Sequence, residues 1–159
     1  MDLAAVARRL ELGELYAAYA HCLDADKLEA WPDFFTEDCF YRVTSAENYE
    51  ASLPLGLIYA TSRNMVKDRV SALREANIYE PQRYRHLVSS IRITGEVAEA
   101  LNLEANFLVI RTMQEGDMTI FAAGRYVDRV VQTAEGWKFA RKDVVLDSRQ
   151  IDTLLAIPI

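Results

Sequence analysis

Four long stretches in the second half of the chain have the character of β-strands, and this feature limits the possible folds most strongly. They cover residues 84–96, 100–114, 118–133 and 137–148, and apolar and polar residues alternate visibly in the second and third. Glu115-Gly116-Asp117 and Ala134-Glu135-Gly136 separate the last three stretches, and such short glycine-containing breaks are typical of hairpins. Strands about twice the usual length of ~5–6 residues must twist and coil when they pair. The pattern therefore predicts a long, twisted, mostly antiparallel sheet.

The first third of the chain has the pattern of a helix. Apolar residues recur near helical spacing up to about Asp24, in a stretch rich in Ala, Leu and Glu. Asp26 is expected to cap a short second helix over residues 27–31, which ends near Pro32. Residues 39–44 and 55–60 favour strands, and Ser62 is expected to cap a helix over residues 64–76. Helices followed by a run of long strands indicate an α+β fold, in which the sheet wraps around the N-terminal helices as a cone.

Length and charge narrow the class of protein. The 159 residues fit a single domain over 1–159, and 18 Lys and Arg against 24 Asp and Glu give a net charge of -6. Nucleic acid is not an expected partner, because its phosphates require a basic surface. No stretch reaches the ~18 apolar residues of a membrane span, and the first residues lack the order of a signal peptide, so a cytoplasmic protein is expected. Cys22 and Cys39 are interpreted as free buried thiols, with a disulfide or a reactive thiol as the alternatives.

A cone with an open interior could hold an enzyme's active site. Asp24, His86 and His21 are the candidates for an acid/base pair, since an Asp that orients a His gives a general base near neutral pH. The alternative is that these histidines serve surface or structural networks. Metal motifs, GxSxG and glycine-rich nucleotide loops do not occur, and a scattered site of two His and one carboxylate is the alternative to the absence of a metal site.

Two polar stretches, residues 68–86 and 147–159, are unusual for plain surface. The first joins a helix to a long strand and mixes arginines with carboxylates and tyrosines, and Arg and Tyr are favoured anchors of protein interfaces. The second ends in Leu-Leu-Ala-Ile-Pro-Ile, which is strongly apolar. This tail is expected either to fold back onto its own core or to be buried against another subunit.

Both stretches resemble the small (β) subunits of Rieske-type aromatic-ring-hydroxylating dioxygenases. The resemblance rests on Ser71-Ala72-Leu73-Arg74-Glu75-Ala76-Asn77-Ile78-Tyr79-Glu80, on Arg83-Tyr84-Arg85-His86 and on the tail from Asp147 to Ile159. Trp31-Pro32-Asp33-Phe34-Phe35-Thr36-Glu37-Asp38-Cys39 and residues 65–69 extend it over most of the chain. Within the family, the sequence looks closest to subunits of oxygenases that act on aromatic carboxylates, such as terephthalate dioxygenase, and is similar to the small subunits of salicylate 5-hydroxylase.

The resemblance implies a cone-shaped, cystatin-like or NTF2-like fold and a structural role in an α3β3 complex. The large (α) subunit would carry the Rieske [2Fe-2S] cluster and the mononuclear Fe(II), and a reductase or ferredoxin would supply electrons. No catalytic, cofactor-binding or metal-binding residue is implied for this chain. The candidate subunit contacts are Arg69, Arg74, Tyr79, Arg83, Tyr84, Arg85, His86, Asp147, Arg149, Ile157 and Ile159.

The rival hypothesis is a free-standing dehydratase or isomerase of the same fold that uses Asp24 and His86. The two hypotheses differ in whether the cone is filled, because an enzyme must keep a cavity with converging polar groups. The side chains expected to fill it are Trp31, Phe34, Phe35, Phe40, Phe107, Phe121 and Trp137.

Overall fold

A computed structural model of the chain describes residues 1–75, 80–149 and 157–159. The helices are α1 (Leu3–Asp24), a 3-10 helix (Leu28–Phe34), α2 (Ala46–Glu50) and α3 (Arg63–Glu75). The strands are β1 (Phe35–Ser45), β2 (Ile58–Ala60), β3 (Gln82–Val97), β4 (Ala100–Met113), β5 (Met118–Thr133) and β6 (Gly136–Leu146).

The long helix α1 has one buried face. Asp2 caps it by accepting a hydrogen bond from the Ala4 N–H at 3.0 Å. Its buried residues are Leu12, Tyr16, Tyr19, Ala20, Cys22 and Leu23. Their spacing of three and four residues puts most of them on one side of the helix, and this side packs against the sheet. The predicted helix up to Asp24 is confirmed.

The last four strands form the predicted antiparallel meander. The sheet order is β2-β1-β6-β5-β4-β3. Gly116, in the turn before β5, and Gly136, the first residue of β6, have φ of 102° and 100°. Glycine has no Cβ and adopts this left-handed backbone without steric cost. Strand β1 pairs with β6 in parallel, so the sheet is mixed. The α+β class predicted from the sequence is confirmed.

Each long strand presents alternate residues to the interior. In β4, Leu101, Leu103, Ala105, Phe107 and Val109 are buried, whereas the residues between them are half-exposed or exposed. This period of two is the signature of a strand with one face on a core. It places the hydrophobic core between the concave face of the sheet and α1.

Two local predictions are wrong. Asp26 does not cap the second helix, because its carboxylate binds Arg74 Nη1 at 3.1 and 2.9 Å. Pro32 lies inside that helix rather than at its end, since a 3-10 helix accommodates the φ that proline imposes.

The strand predicted over residues 55–60 is shorter than expected. Side chains of β1 replace part of its backbone ladder, since Arg42 Nη1 and the Thr44 hydroxyl donate to the carbonyls of Leu53 and Leu55 at 3.2 and 2.8 Å. Only Ile58–Ala60 pairs regularly with β1.

Candidate functional site

The predicted pair Asp24 and His86 is formed. Asp24 ends α1, His86 lies in the edge strand β3, and the two side chains meet with 2.6 Å between Oδ1 and Nδ1. The His86 main-chain N–H also points to both carboxylate oxygens, at 3.1 and 3.0 Å. Because an ionised carboxylate only accepts hydrogen bonds, Nδ1 carries the proton in this contact. The pair therefore fastens the end of α1 to the edge of the sheet.

Asp24 and His86 both line a groove of about 640 Å³ between α1 and β3. Gly13, Ala17 and Ala20 line its helix side, and His21 reaches it from an exposed position on α1. The His86 side chain is fully buried, and its Nε2 has no hydrogen-bond partner within the described part of the chain. The imidazole is thus oriented as in a general base, but its second nitrogen is closed off from solvent.

A second polar cluster lies in the middle of the cone. Lys142 of β6 and Asp128 of β5 are cross-strand neighbours, with 2.9 Å between Nζ and Oδ2. The Tyr16 hydroxyl donates to the same oxygen at 2.6 Å, and the Lys142 ammonium lies 3.6 Å from the centre of the Tyr126 ring. Both charged side chains are fully buried. The ammonium therefore replaces its lost hydration with one carboxylate and with aromatic faces.

Burial controls the ionisation of this cluster. Loss of water raises the pKa of Asp128 and lowers the pKa of Lys142, and in each case the partner's charge partly opposes the effect. Burial, assisted by the negative charge of Asp128, raises the pKa of Tyr16 well above its ordinary value. The tyrosine therefore stays protonated and can donate its hydrogen bond.

Lys142 and Asp128 were not predicted from the sequence as site residues. Their positions in the alternation of inward-facing and outward-facing residues along each strand could have indicated them. Lys142 shares its face of β6 with the buried Val144 and Leu146, and Asp128 lies between Tyr126 and Val130 on the inward face of β5. A charged residue in step with core residues indicates a buried ion pair.

Aromatic side chains fill the cone. The largest fully buried ones are Trp31, Tyr16, Tyr19, Tyr41, Tyr126, Phe35 and Phe139. Of the side chains expected to fill it, Trp31, Phe35, Phe107 and Phe121 are buried, and Phe34 and Trp137 pack partly against the core. Phe40 is not part of this filling: it lies on the other face of the sheet under the Arg141 guanidinium, 4.2 Å from the ring centre. The rest of the filling comes from side chains that were not predicted to take part, namely Tyr16, Tyr19, Tyr41, Tyr126 and Phe139.

The segment of residues 157–159 enters this core. Ile157 and Ile159 are 5% and 0% exposed, and the Tyr19 and Tyr41 hydroxyls each donate to the main-chain oxygen of Ile159 at 3.0 Å. The tail was expected either to fold back onto its own core or to be buried against another subunit, and these three residues pack on the core of their own chain. Cys22 and Cys39 are free and buried, as predicted.

Two apolar surfaces are exposed at opposite ends of the sheet. The apolar row consists of Leu53, Leu55, Leu57 and Tyr59, which are 41–62% exposed along the β2 edge. The outer patch consists of Arg83, Arg85 and Leu87 of β3 and of Met118 and Ile120 of β5, on the outer face of the sheet. Its three apolar members are 47–71% exposed. Contiguous exposed apolar side chains of this kind mark sites of protein contact.

The remaining contact candidates occupy different environments. Arg69 is half-buried in a groove between β2 and α3, and Arg74 forms ion pairs with Asp26 and Glu29. Tyr84 is buried against Phe121, with ring centres 5.0 Å apart. Asp147 and Arg149 are exposed, and Arg149 pairs with Glu47 at 3.0 Å. Tyr79 and residues 150–156 of the predicted tail lie outside the described residues.

Neither a metal-binding cluster nor a membrane-spanning helix occurs in the described part of the chain. Within residues 1–75, 80–149 and 157–159, no three His, Cys, Asp or Glu side chains form a group that could hold a metal ion. In the same ranges, no helix has the length and apolar character needed to cross a membrane.

Comparison with known proteins identifies the family. Residues 18–153 match the family model described as ring hydroxylating beta subunit. The chain is 40% identical over 149 residues to the anthranilate 1,2-dioxygenase small subunit of Burkholderia cepacia, which covers 94% of this chain and 92% of the relative. It is also 40% identical over 150 residues to subunit beta 1 of the terminal oxygenase component of terephthalate 1,2-dioxygenase from a Comamonas species, covering 94% and 97%.

A solved structure agrees with these matches. The protein described as the beta subunit of an aromatic-ring-hydroxylating dioxygenase from Novosphingobium aromaticivorans superposes with a TM-score of 0.88 at 38% identity, over 99% of this chain and 100% of that one. The likeness confirms the predicted cone-shaped, NTF2-like fold. The filled cone, the matched family model and these relatives agree, and the chain belongs to the ring-hydroxylating dioxygenase beta-subunit family, as a small subunit of an oxidoreductase complex.

Proposed function

We propose that this chain is a structural subunit that holds the large subunits of an aromatic-ring-hydroxylating dioxygenase in register and takes no part in the chemical step. The observation that carries the proposal is the filled cone. Where a pocket enzyme of this shape needs a cavity, the fully buried Tyr16, Tyr19, Tyr126 and Phe139 surround Lys142. Because these side chains fill the centre of the cone, we assign partner binding to the exterior of the chain; the groove between α1 and β3 lies beside this filling.

The exterior offers surfaces suited to two neighbours. The apolar row lies at the β2 edge of the sheet and the outer patch lies towards the β3 edge. A subunit of an α3β3 complex needs contact surfaces both for its own copies and for the larger partner. These features support an α3β3 complex in which Arg69, Arg83, Arg85, Asp147 and Arg149 contribute to subunit contacts. Tyr84, His86, Ile157 and Ile159 are buried in their own chain, so we leave them out of this proposed interface.

The redox groups belong to the large subunit in this proposal. A Rieske [2Fe-2S] cluster and a mononuclear Fe(II) there would carry out the oxygen chemistry, and a reductase or ferredoxin would supply the electrons. The family membership supports this division of roles. We place the complex in the cytoplasm, where electron donors of this kind operate.

The proposed substrate class is an aromatic carboxylate. The matched relatives are named for anthranilate and terephthalate, both of which are aromatic carboxylates. Since the proposal places the substrate pocket in the large subunit, this chain would contribute to specificity only through the geometry of the assembly.

The Asp24–His86 pair supports the dehydratase or isomerase alternative less well. Its geometry suits a general base, but the imidazole is fully buried and the carboxylate also binds the His86 main-chain N–H. A base must come within about 3 Å of the proton that it removes. We therefore assign the pair a structural role.

The test is co-expression with a large subunit of the family, followed by size-exclusion chromatography with light scattering and an iron assay. We expect a hetero-hexamer whose iron remains with the larger chain after the subunits are separated. Arg85→Ala and Arg149→Ala are expected to weaken assembly about five- to thirtyfold, which is the usual effect of removing an anchor worth ~1–2 kcal/mol.

Turnover per assembled complex is the decisive measurement. It should be unchanged in both variants, and Arg9→Ala, on an exposed part of α1, is the matched control that should leave assembly intact. Intact hexamers that have lost turnover would contradict the structural role. A homo-oligomer that ignores the large subunit would instead favour the Asp24–His86 alternative.

A further inference from the structure

Two tyrosine hydroxyls converge on a single main-chain oxygen inside the cone. Tyr19 comes from α1 and Tyr41 from β1, and both donate to the oxygen of Ile159 at 3.0 Å. All three residues are 0% exposed. The contact therefore joins a helix, a strand and the segment of residues 157–159 in a water-free place.

This arrangement has the chemistry of a binding site. A buried hydroxyl without a partner costs about 1–3 kcal/mol, so each tyrosine depends on the oxygen that the segment brings. Around the hydroxyls, the walls are aromatic: Trp31 lies 5.2 Å from the Tyr41 ring, and Phe35 lies 6.4 Å from the Tyr19 ring. Small-molecule and peptide sites are built in the same way, from apolar walls and a few placed polar groups.

The side chains of the segment follow the same pattern. Ile157 and Ile159 belong to the core, whereas Pro158 lines the groove between β2 and α3 together with Tyr59 and Arg69. Ile157 also borders the groove between the end of α1 and the start of β3. The segment thus places two apolar side chains and one main-chain oxygen inward and touches both grooves.

We propose that Tyr19 and Tyr41 form a binding site for the main-chain oxygen of the last residue of a short apolar peptide, and that residues 157–159 occupy it as a ligand supplied by the chain itself. Residues 157–159 thereby fill the cone beside Tyr19 and Tyr41. Once emptied, the site would accept a free peptide of the same character. This inference is independent of the proposed role in assembly, because it concerns the interior of one chain.

The test uses a variant that ends at Ala156, with acetyl-Ile-Pro-Ile as the probe. The variant is expected to unfold at a lower temperature than the parent chain, and the peptide should restore the midpoint in a saturable manner. Acetyl-Ser-Pro-Ser has the same length and proline position but lacks the apolar side chains, and should not restore it. If the shortened chain does not fold alone, the yield of refolding with each peptide replaces the unfolding midpoint.

Tyrosine variants separate recognition from general packing. In the shortened chain, Tyr19→Phe and Tyr41→Phe should each weaken binding of acetyl-Ile-Pro-Ile about two- to tenfold, the effect of one hydrogen bond. Tyr126→Phe is the matched control, since the Tyr126 hydroxyl is also buried and makes no hydrogen bond within the described residues. It should leave peptide binding unchanged. A shortened chain that is indifferent to the peptide, or equal effects of all three substitutions, would overturn the proposal.

Discussion

Replacing Lys142 by methionine tests how the centre of the cone is stabilised. The substitution keeps most of the side-chain volume and removes the charge that faces Asp128 at 2.9 Å. Asp128 then retains the hydrogen bond from Tyr16 but has no cation beside it. Removing one partner of a buried ion pair costs about 3–5 kcal/mol, because the remaining charge stays out of water. We expect Lys142→Met to lower the free energy of unfolding by about this amount.

The double variant Lys142→Met with Asp128→Leu distinguishes an ion pair from general packing. Apolar residues of similar size often replace a buried pair at little cost, and sometimes with a gain in stability. We expect the double variant to unfold within ~1–2 kcal/mol of the parent chain. Its stability should exceed that of Lys142→Met, although it carries one more substitution.

The pH dependence of the destabilisation caused by Lys142→Met is an independent test. Burial already raises the pKa of Asp128, and loss of the cation raises it further. A carboxyl whose folded pKa lies above its unfolded value stabilises the protein below about pH 4, and this contribution is lost as the pH rises through the folded pKa. Lys142→Met should therefore be less destabilising in mild acid than at pH 8.

Urea and thermal unfolding, followed by tryptophan fluorescence, measure these effects. For a domain of this size, a loss of 3–5 kcal/mol lowers the unfolding midpoint by about 6–20 °C. A loss below ~1 kcal/mol for Lys142→Met, or a double variant as unstable as the sum of both single variants, would refute the reasoning.

Four further substitutions probe other parts of the molecule. Asp24→Asn should lower the free energy of unfolding by about 1–3 kcal/mol, because the contacts to the His86 ring and main chain are weakened, and turnover per assembled complex should not change. Leu57→Asp in the exposed apolar row should reduce co-purification with the large subunit while the unfolding midpoint stays within a few degrees. Gly124→Ala should destabilise the chain by more than 1 kcal/mol in urea unfolding, since a Cβ there would overlap the Val145 carbonyl. Gly13→Ala on α1 should instead stabilise the chain by about 0.5–1 kcal/mol, because the added Cβ meets no atom and alanine favours the helix.

Local sequence patterns account for most of the elements. The helix up to Asp24 and the hairpins at Gly116 and Gly136 follow from the spacing of apolar residues and from backbone conformations that favour glycine. The parallel pairing of β1 with β6 could not be predicted, because it joins segments about 100 residues apart through a register that no local pattern encodes. The position of Asp26 was mispredicted for the same reason, since its partner Arg74 comes from a distant helix.

In the candidate site, too, some features follow from the local sequence and others depend on tertiary contacts. Asp24 and His86 were identified by residue type, yet their contact depends on how the end of α1 meets β3. Lys142 and Asp128 were missed, although their positions in step with core residues carry the information. The type of a residue indicates whether its side chain can react, whereas its position in the alternation of a strand indicates whether its side chain is buried.

Two neighbouring residues of β6 connect the interior of the cone to its exterior. Lys142 faces inward and pairs with Asp128, and Asp143 faces outward and pairs with Arg42 of β1 at 2.7 Å. Arg42 in turn holds the carbonyl of Leu53, so this outward pair fixes the segment that displays the apolar row. A slip of β6 by one residue would turn Asp143 into the aromatic core and Lys142 away from its only carboxylate among the described contacts. The opposite charges at these adjacent positions therefore specify one register of β6 between β1 and β5, and this register sets both the filling of the cone and the surface offered to a partner.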